Sequence, residues 1–314
     1  MPSFISRRSF LRRTASTGAI LLAGRSLGSS SPLAASLLRQ TNEQTPDIAS
    51  VTGDNYYDAT IRAVEILGGM NRFVSQGSNV GLLINSKFAR PGTYVKPQIA
   101  LAVLAMLRHA GAARIVSLDD TETSYWKRGT LSKEHDEFVR GIVGPGARKH
   151  VPLTGGATLK EIEIVREYVE CDQIVNIAIF KDHQGTRFTG ALKNIMGTTS
   201  GANNEHWHLG SGARGYYDDV RHLSQCIAEG NLVRTPSLCI GDATEVIIRN
   251  GPFGPGPTKN FRTVIASTDP VAFDAFGATL LGLAPDDIHM IRQAAALGIG
   301  TSRISTLRIE RATL

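Results

Sequence analysis

The sequence predicts an α/β fold built on a largely parallel sheet with helices on both faces. Apolar runs of strand length, amphipathic stretches of helix length and their repeated alternation along the chain point to this class. The apolar runs are continuous rather than alternating, which suits strands covered on both faces.

In chain order, "YYDATIRAVEILGG" places Ile61, Val64, Ile66 and Leu67 on one helical face and stops at Gly68 and Gly69. "NVGLLIN" is a buried strand, and "KPQIALAVLAMLRHAGA" a helix with Pro97 in its first turn and Gly111 behind its end. "ARIVSLDD" is the next strand, ending in Asp119 and Asp120. "LSKEHDEFVRGI" and "LKEIEIVREYV" suggest helices, "QIVNIAIF" a strand, and "YYDDVRHLSQCIAEGN" an amphipathic helix closing on Gly230. "SLCIGDATEVII" and "FRTVIAS" are strands, followed by the helices "PVAFDAFGATLLG" and "PDDIHMIRQAAALGIG" and a last strand, "ISTLRIERA". Asp269 before Pro270 is a helix start, with the carboxylate as cap. Right-handed crossovers between such units give a parallel sheet.

The expected division is a signal peptide over residues 1–35, a polar linker over 36–55 and a single α/β domain over 56–314. The 314 residues, 42% hydrophobic, suffice for a substantial core. The net charge of +6 is misleading, because residues 1–35 carry Arg7, Arg8, Arg12, Arg13 and Arg25 and no acid. Setting those five aside leaves 29 basic against 28 acidic residues, so nucleic acid is not an expected partner.

"SRRSFLRRTASTGAILLAG" resembles a twin-arginine export signal, with Ser6, Arg7, Arg8, Phe10 and Leu11 in place and cleavage expected near Ala34 or Ala35. Its apolar part, Ala15 to Gly24, is shorter than the roughly 20 residues of a permanent membrane helix. The resemblance implies a periplasmic or extracellular protein that meets the twin-arginine translocase during export. That route carries folded cargo, often with a cofactor already loaded, and so favours a metal or cofactor. Cys171, Cys226 and Cys239 have no paired metal spacing and are expected to be buried structural thiols.

In open sheets of this kind, ligands sit outside the carboxyl ends of the strands. Asp119, the loop "KDHQGTRFTGALKN" and Asp242 all occupy such ends. Lys181 and His183, two apart, face one side of an extended backbone, while Lys193 and Asn194 begin a helical turn. Lysine with histidine can form an acid/base pair or an anion clamp. Lys181, His183 and Lys193 are therefore the candidate catalytic groups, and Asn85, Asp119, Thr189 and Asn194 the candidate cofactor-binding groups. His206 and His208 would face one side of an extended segment and could bind a divalent metal ion with a carboxylate such as Asp242 or Glu205; a helix would separate them. Removal of loop groups at the sheet edge is expected to harm ligand binding more than folding. "NGPFGPGPTKN" offers a rigid lid or a series of turns, and no nucleotide-binding glycine motif or esterase elbow is present.

"FKDHQGTRFTGALKNIMG", "GDATEVIIRNGPFGPGP", "VIASTDPVAFDAFGATLLG" and "IRQAAALGIG" resemble the family catalogued as domain of unknown function 362, over about residues 79 to 300. The family has no general assigned activity. Many members read Lys-Pro-Asn after the first strand, where this chain has Ile84, Asn85, Ser86 and Lys87, so only Asn85 carries over. A distant likeness to the amino-terminal part of nickel-dependent lactate racemase has no motif matched residue by residue. Two functions follow: a metal- or cofactor-dependent enzyme acting on a small anionic substrate by acid/base chemistry, or a non-catalytic periplasmic binding or cofactor-carrying protein.

Overall fold

A computed structural model describes residues 45–210 and 220–314. The twin-arginine segment and the proposed cleavage point lie outside them. Over the described residues the chain forms an eight-stranded sheet in the order β12-β1-β11-β10-β7-β2-β3-β4. The strands are β1 (Ile48–Thr52), β2 (Asn79–Ile84), β3 (Arg114–Ser117), β4 (Ile142–Val143), β7 (Gln173–Ile179), β10 (Leu238–Ile247), β11 (Thr258–Ser267) and β12 (Ile309–Thr313). Neighbours are parallel except at β11, which runs antiparallel to both β1 and β10. Two antiparallel ribbons stand apart: β5 (Arg148–Pro152) with β6 (Glu161–Val165), and β8 (Lys181–His183) with β9 (Arg187–Thr189).

The helices are α1 (Tyr56–Ile66), α2 (Pro97–His109), α3 (Thr123–Trp126), α4 (Lys133–Arg140), α5 (Arg166–Glu170), α6 (Ala191–Asn194), α7 (Gly201–Leu209), α8 (Val220–Gly230), α9 (Pro270–Leu280) and α10 (His289–Ala296). Strand alternation sorts the core into two layers. Val175, Ile177 and Ile179 of β7 pack with α1 and α2 on one face. Ile174 and Ala178 face the other side, toward α8, α9 and α10. Helices on both faces were therefore legible from the continuous apolar strands.

Two expectations are corrected. The stretch expected as a linker contains β1, whose Ile48, Ala49 and Val51 are fully buried between β11 and β12. The ordered domain thus begins ahead of Tyr56, and the small residues of "IASVT" concealed an interior strand, next to the sheet edge. "LKEIEIVREYV" is helical only over Arg166–Glu170. Its first part alternates with period two, burying Ile162 and Ile164, and pairs with β5. The caps follow the sequence: Asp269 Oδ1 accepts from the Val271 and Ala272 amides at 2.8 and 2.9 Å. All three cysteines are buried thiols outside any disulfide among the described residues.

Candidate functional site

The order of the sheet creates a place for a ligand. From β2 the chain crosses over toward β3, while from β7 it crosses in the opposite direction toward β10. β2 and β7 are neighbours, so their carboxyl ends flank a topological switch point, where a crevice opens in doubly wound sheets. Asn85 follows β2, and Lys181 and His183 follow β7. A cavity of about 470 Å³ opens there, and Asn85, Asp119, Lys181, His183, Thr189, Lys193 and Asn194 all line it. The structure therefore brings every sequence-predicted catalytic and cofactor-binding residue to one wall or another of a single cavity.

Local geometry explains how. In the β8–β9 ribbon, Lys181 pairs with Thr189 and His183 with Arg187. Period two turns Lys181, His183 and Thr189 to the cavity, whereas Asp182 turns away and accepts from the Gly251 amide at 2.8 Å. The chain then tightens into α6, which carries Lys193 and Asn194. Asp274, fully buried on α9, holds this turn: Oδ1 accepts from the Ala191 amide at 2.6 Å and Oδ2 from the Leu192 amide at 3.0 Å. Gly190 is required there, since a Cβ would lie 2.1 Å from Asp274 Oδ1. Burial pushes the Asp274 carboxyl up to about 8 despite its two amide partners.

A chain of amides fixes the floor. Asn85 Nδ2 donates to Asn194 Oδ1 at 3.1 Å, and Asn194 Nδ2 donates to Asn176 Oδ1 at 2.7 Å. Asn176 Nδ2 in turn donates to the Ala191 carbonyl at 3.0 Å. Lys181 Nζ donates to Asn85 Oδ1 at 3.3 Å and to the Thr93 carbonyl, and lies 4.6 Å from the centre of the Phe88 ring. Asn85 and Asn194 thus act foremost on each other and on Lys181. Asn176, central to this network, was hidden in an otherwise apolar strand; one polar residue in "QIVNIAIF" was its only signal.

The electrostatics are one-sided at this floor. Burial, followed by the charge of Lys193, pushes the Lys181 ammonium well below its ordinary range. Burial lowers Lys193, which is partly buried beside Met196 Sδ at 3.2 Å, to about 8. His183 Nδ1 accepts from the Gly185 and Thr186 amides at 3.0 and 3.2 Å, so Nε2 carries the ring proton. Burial first, then the charges of Lys193, Lys181 and His208, drive the His183 imidazole strongly toward its neutral form. Among the described ion pairs none includes Lys181 or Lys193. Thr189 Oγ1 is buried with no hydrogen-bond partner. Across the cavity stand Asp119, Asp120 and Glu122 with Lys87 and Arg148. Burial raises the Asp119 carboxyl, partly offset by the Asp120 amide and the Lys87 charge.

Lys181 and His183 are 1% and 3% exposed, so they are part of the packed interior rather than solvated loop groups. One expectation about the site fails. The metal set of His206, His208 and Asp242 is not assembled. α7 is helical throughout, which turns residues two apart to divergent sides; His206 is exposed while His208 is buried on the cavity wall. Asp242 is fully buried in β10, where it accepts from the Lys96 amide at 2.7 Å and from the Thr244 amide and hydroxyl at 2.8 and 2.7 Å. Among the described residues no group of three His, Cys, Asp or Glu side chains is placed to hold a metal ion. No helix among them is long and apolar enough to cross a membrane.

Comparison with known proteins places this geometry in a wider group. The chain is 25% identical over 251 residues to a thylakoid-associated protein of Synechocystis sp. (strain ATCC 27184 / PCC 6803 / Kazusa), covering 77% of this chain and 75% of that one. Among solved structures it is similar to the lactate racemase apoprotein from Thermoanaerobacterium thermosaccharolyticum, at 15% identity and a TM-score of 0.44, over 74% of this chain and 56% of that one. A protein from Thermotoga maritima gives 14% identity and a TM-score of 0.40, over 77% and 58%. The chain therefore spans somewhat more than half the length of these two structures. The sequence pattern of the family described as "Domain of unknown function (DUF362)" matches residues 80–279, which include every residue lining the β2–β7 cavity, and the chain belongs to that family.

Proposed function

We propose that the β2–β7 cavity binds a small organic anion and exchanges a proton with it. The observation that supports this most is the gathering of Lys181, His183, Lys193 and the unpartnered Thr189 hydroxyl on one wall. Two amines held away from water, neither of them in any of the described ion pairs, are raised in energy as cations. An anion among them restores the charge balance that burial removes. Lys193, lowered to about 8, is populated in both protonation states near neutral pH, which suits a base. His183 presents Nε2–H as a donor, because its Nδ1 accepts from two amides. Lys181 presents its amine from the floor, oriented by Asn85 and the Thr93 carbonyl.

The rigid amide chain Asn85–Asn194–Asn176 serves ligand capture without turnover equally well, because it preforms the site. A non-catalytic periplasmic binding protein is thus the second reading. Titration calorimetry with inorganic phosphate and acetate tests binding. Native protein is expected to bind at least one of them, and Lys193→Met to lose it; no binding of any small anion refutes the proposal. Exchange of solvent deuterium into a bound carbonyl-containing acid separates enzyme from carrier. We also propose export of the folded protein through the twin-arginine route, on the strength of Arg7, Arg8, Phe10 and Leu11.

A further inference from the structure

We infer that the anion taken by the β2–β7 cavity carries an aromatic ring, received by a built lip of Phe88, Pro252 and Phe253; this rests on the anion-binding reading above. The first ground is size. A cavity of about 470 Å³ falls within the roughly 300–1,000 Å³ that houses whole organic ligands, several times what a lone phosphate or acetate fills. The donor groups Lys181, His183, Thr189 and Lys193 line this cavity together with Phe88, Pro252 and Phe253, and they account for the charged part of the ligand.

The second ground is the chemistry of the remainder. Phe88 and Phe253 meet edge to face, with ring centres 5.3 Å apart at 80°. Phe253 is nevertheless 46% exposed, an unusual placement for a large apolar side chain at the mouth of a polar cavity. Burial of that face by a ring offers both area and favourable ring geometry. The Lys181 ammonium already lies over Phe88 at 4.6 Å, so the aromatic wall and the charged wall are continuous.

The third ground is that the lip is fastened to the strand that carries the donors. Asp182, the residue between Lys181 and His183, accepts from the Gly251 amide at 2.8 Å, and the Gln184 amide donates to the Gly251 carbonyl at 3.3 Å. A Cβ at Gly251 would stand 1.8 Å from the Asp182 carbonyl oxygen, so only glycine allows the approach. On the other side, Arg128 Nη1 donates to the Phe88 carbonyl at 2.6 Å and its guanidinium stacks 4.5 Å over Tyr94. The backbone beside both rings is therefore tied to the ribbon of Lys181 and His183 on one side and to Arg128 on the other.

The test compares phenyl phosphate with inorganic phosphate by titration calorimetry, in native protein and in Phe253→Ala. The expected result is phenyl phosphate binding about tenfold tighter than phosphate in native protein, with the preference falling to about twofold in the variant while phosphate affinity is unchanged. Phe253→Leu, which keeps an apolar lip, should retain a preference between the two. Equal affinity for both probes in native protein, or a preference that survives Phe253→Ala undiminished, overturns the inference and leaves the anion site standing. Binding of neither probe overturns the anion site and the ring-bearing ligand together.

Discussion

Replacing Asp274 by alanine should loosen the turn that presents Lys193 and Asn194, and the structure fixes the size of the effect. Asp274 is fully buried, and its two oxygens accept from the Ala191 and Leu192 amides at 2.6 and 3.0 Å. Alanine leaves both amides without a partner, at about 1–3 kcal/mol each. Removal of the carboxyl also relieves its own burial cost, so the net loss is expected near 3 kcal/mol. In a domain of this size that lowers the melting temperature by roughly 6–12 °C. Asp274→Asn, which keeps one acceptor, should lose about half as much.

The same substitution has a pH signature. The Asp274 carboxyl is raised by burial from 3.8 to about 8, so between those values the folded state holds a proton that the unfolded state has released. Its contribution is fully present below pH 4 and is lost as pH rises toward 8. Thermal melts at pH 5 and pH 8 should show native protein losing more stability across this interval than Asp274→Ala. If Asp274→Ala melts with the native protein at both values and still binds phosphate, the role assigned to this carboxylate is wrong.

The other predictions follow from the same wall. Lys193 is lowered by burial from 10.5 to about 8, so anion affinity measured by calorimetry should hold below pH 8 and fall above it as the ammonium is lost; a flat profile across that pH would contradict the assignment. By linkage, the unfolded state binds this proton first, so Lys193 makes stability rise with pH between about 8 and 10.5, and chemical denaturation across that window should show the rise vanish in Lys193→Met. Gly190→Ala forces a methyl to within 2.1 Å of Asp274 Oδ1; it should destabilise by about 1–3 kcal/mol in urea and weaken phosphate binding, and a native-like midpoint would contradict the packing. Lys181→Met exchanges a buried amine for an apolar chain of similar volume and should keep stability within about 1.5 kcal/mol while losing the anion; a large loss of stability with binding retained would reverse its assignment. Replacement of Arg7 and Arg8 by lysine should hold the protein in the cytoplasm on fractionation, and continued export would dismiss the twin-arginine route.

The sequence by itself determined the fold class, because continuous apolar runs such as "NVGLLIN" and "QIVNIAIF" can be satisfied only by strands covered on both sides. It also determined that Lys181 and His183 share one side of an extended segment at a strand's carboxyl end. Period two in an extended segment and a strand's carboxyl end are local properties, and no distant contact was needed to read them. Local readings failed where two backbone states were compatible with the same residues. "EIEIV" became a strand because β5 pairs with it, and "NNEHWHL" a helix, which parted His206 from His208. "IASVT" became a strand flanked on both sides through β11 and β12, more than 200 residues away. Only the tertiary structure decided that Asp274 caps α6, that Asn176 links Asn194 to Ala191, and that Asp242 is turned away to Lys96 and Thr244. Each of these is a polar group buried where water cannot serve it, so its partner is fixed by which elements pack together and not by its neighbours in the chain.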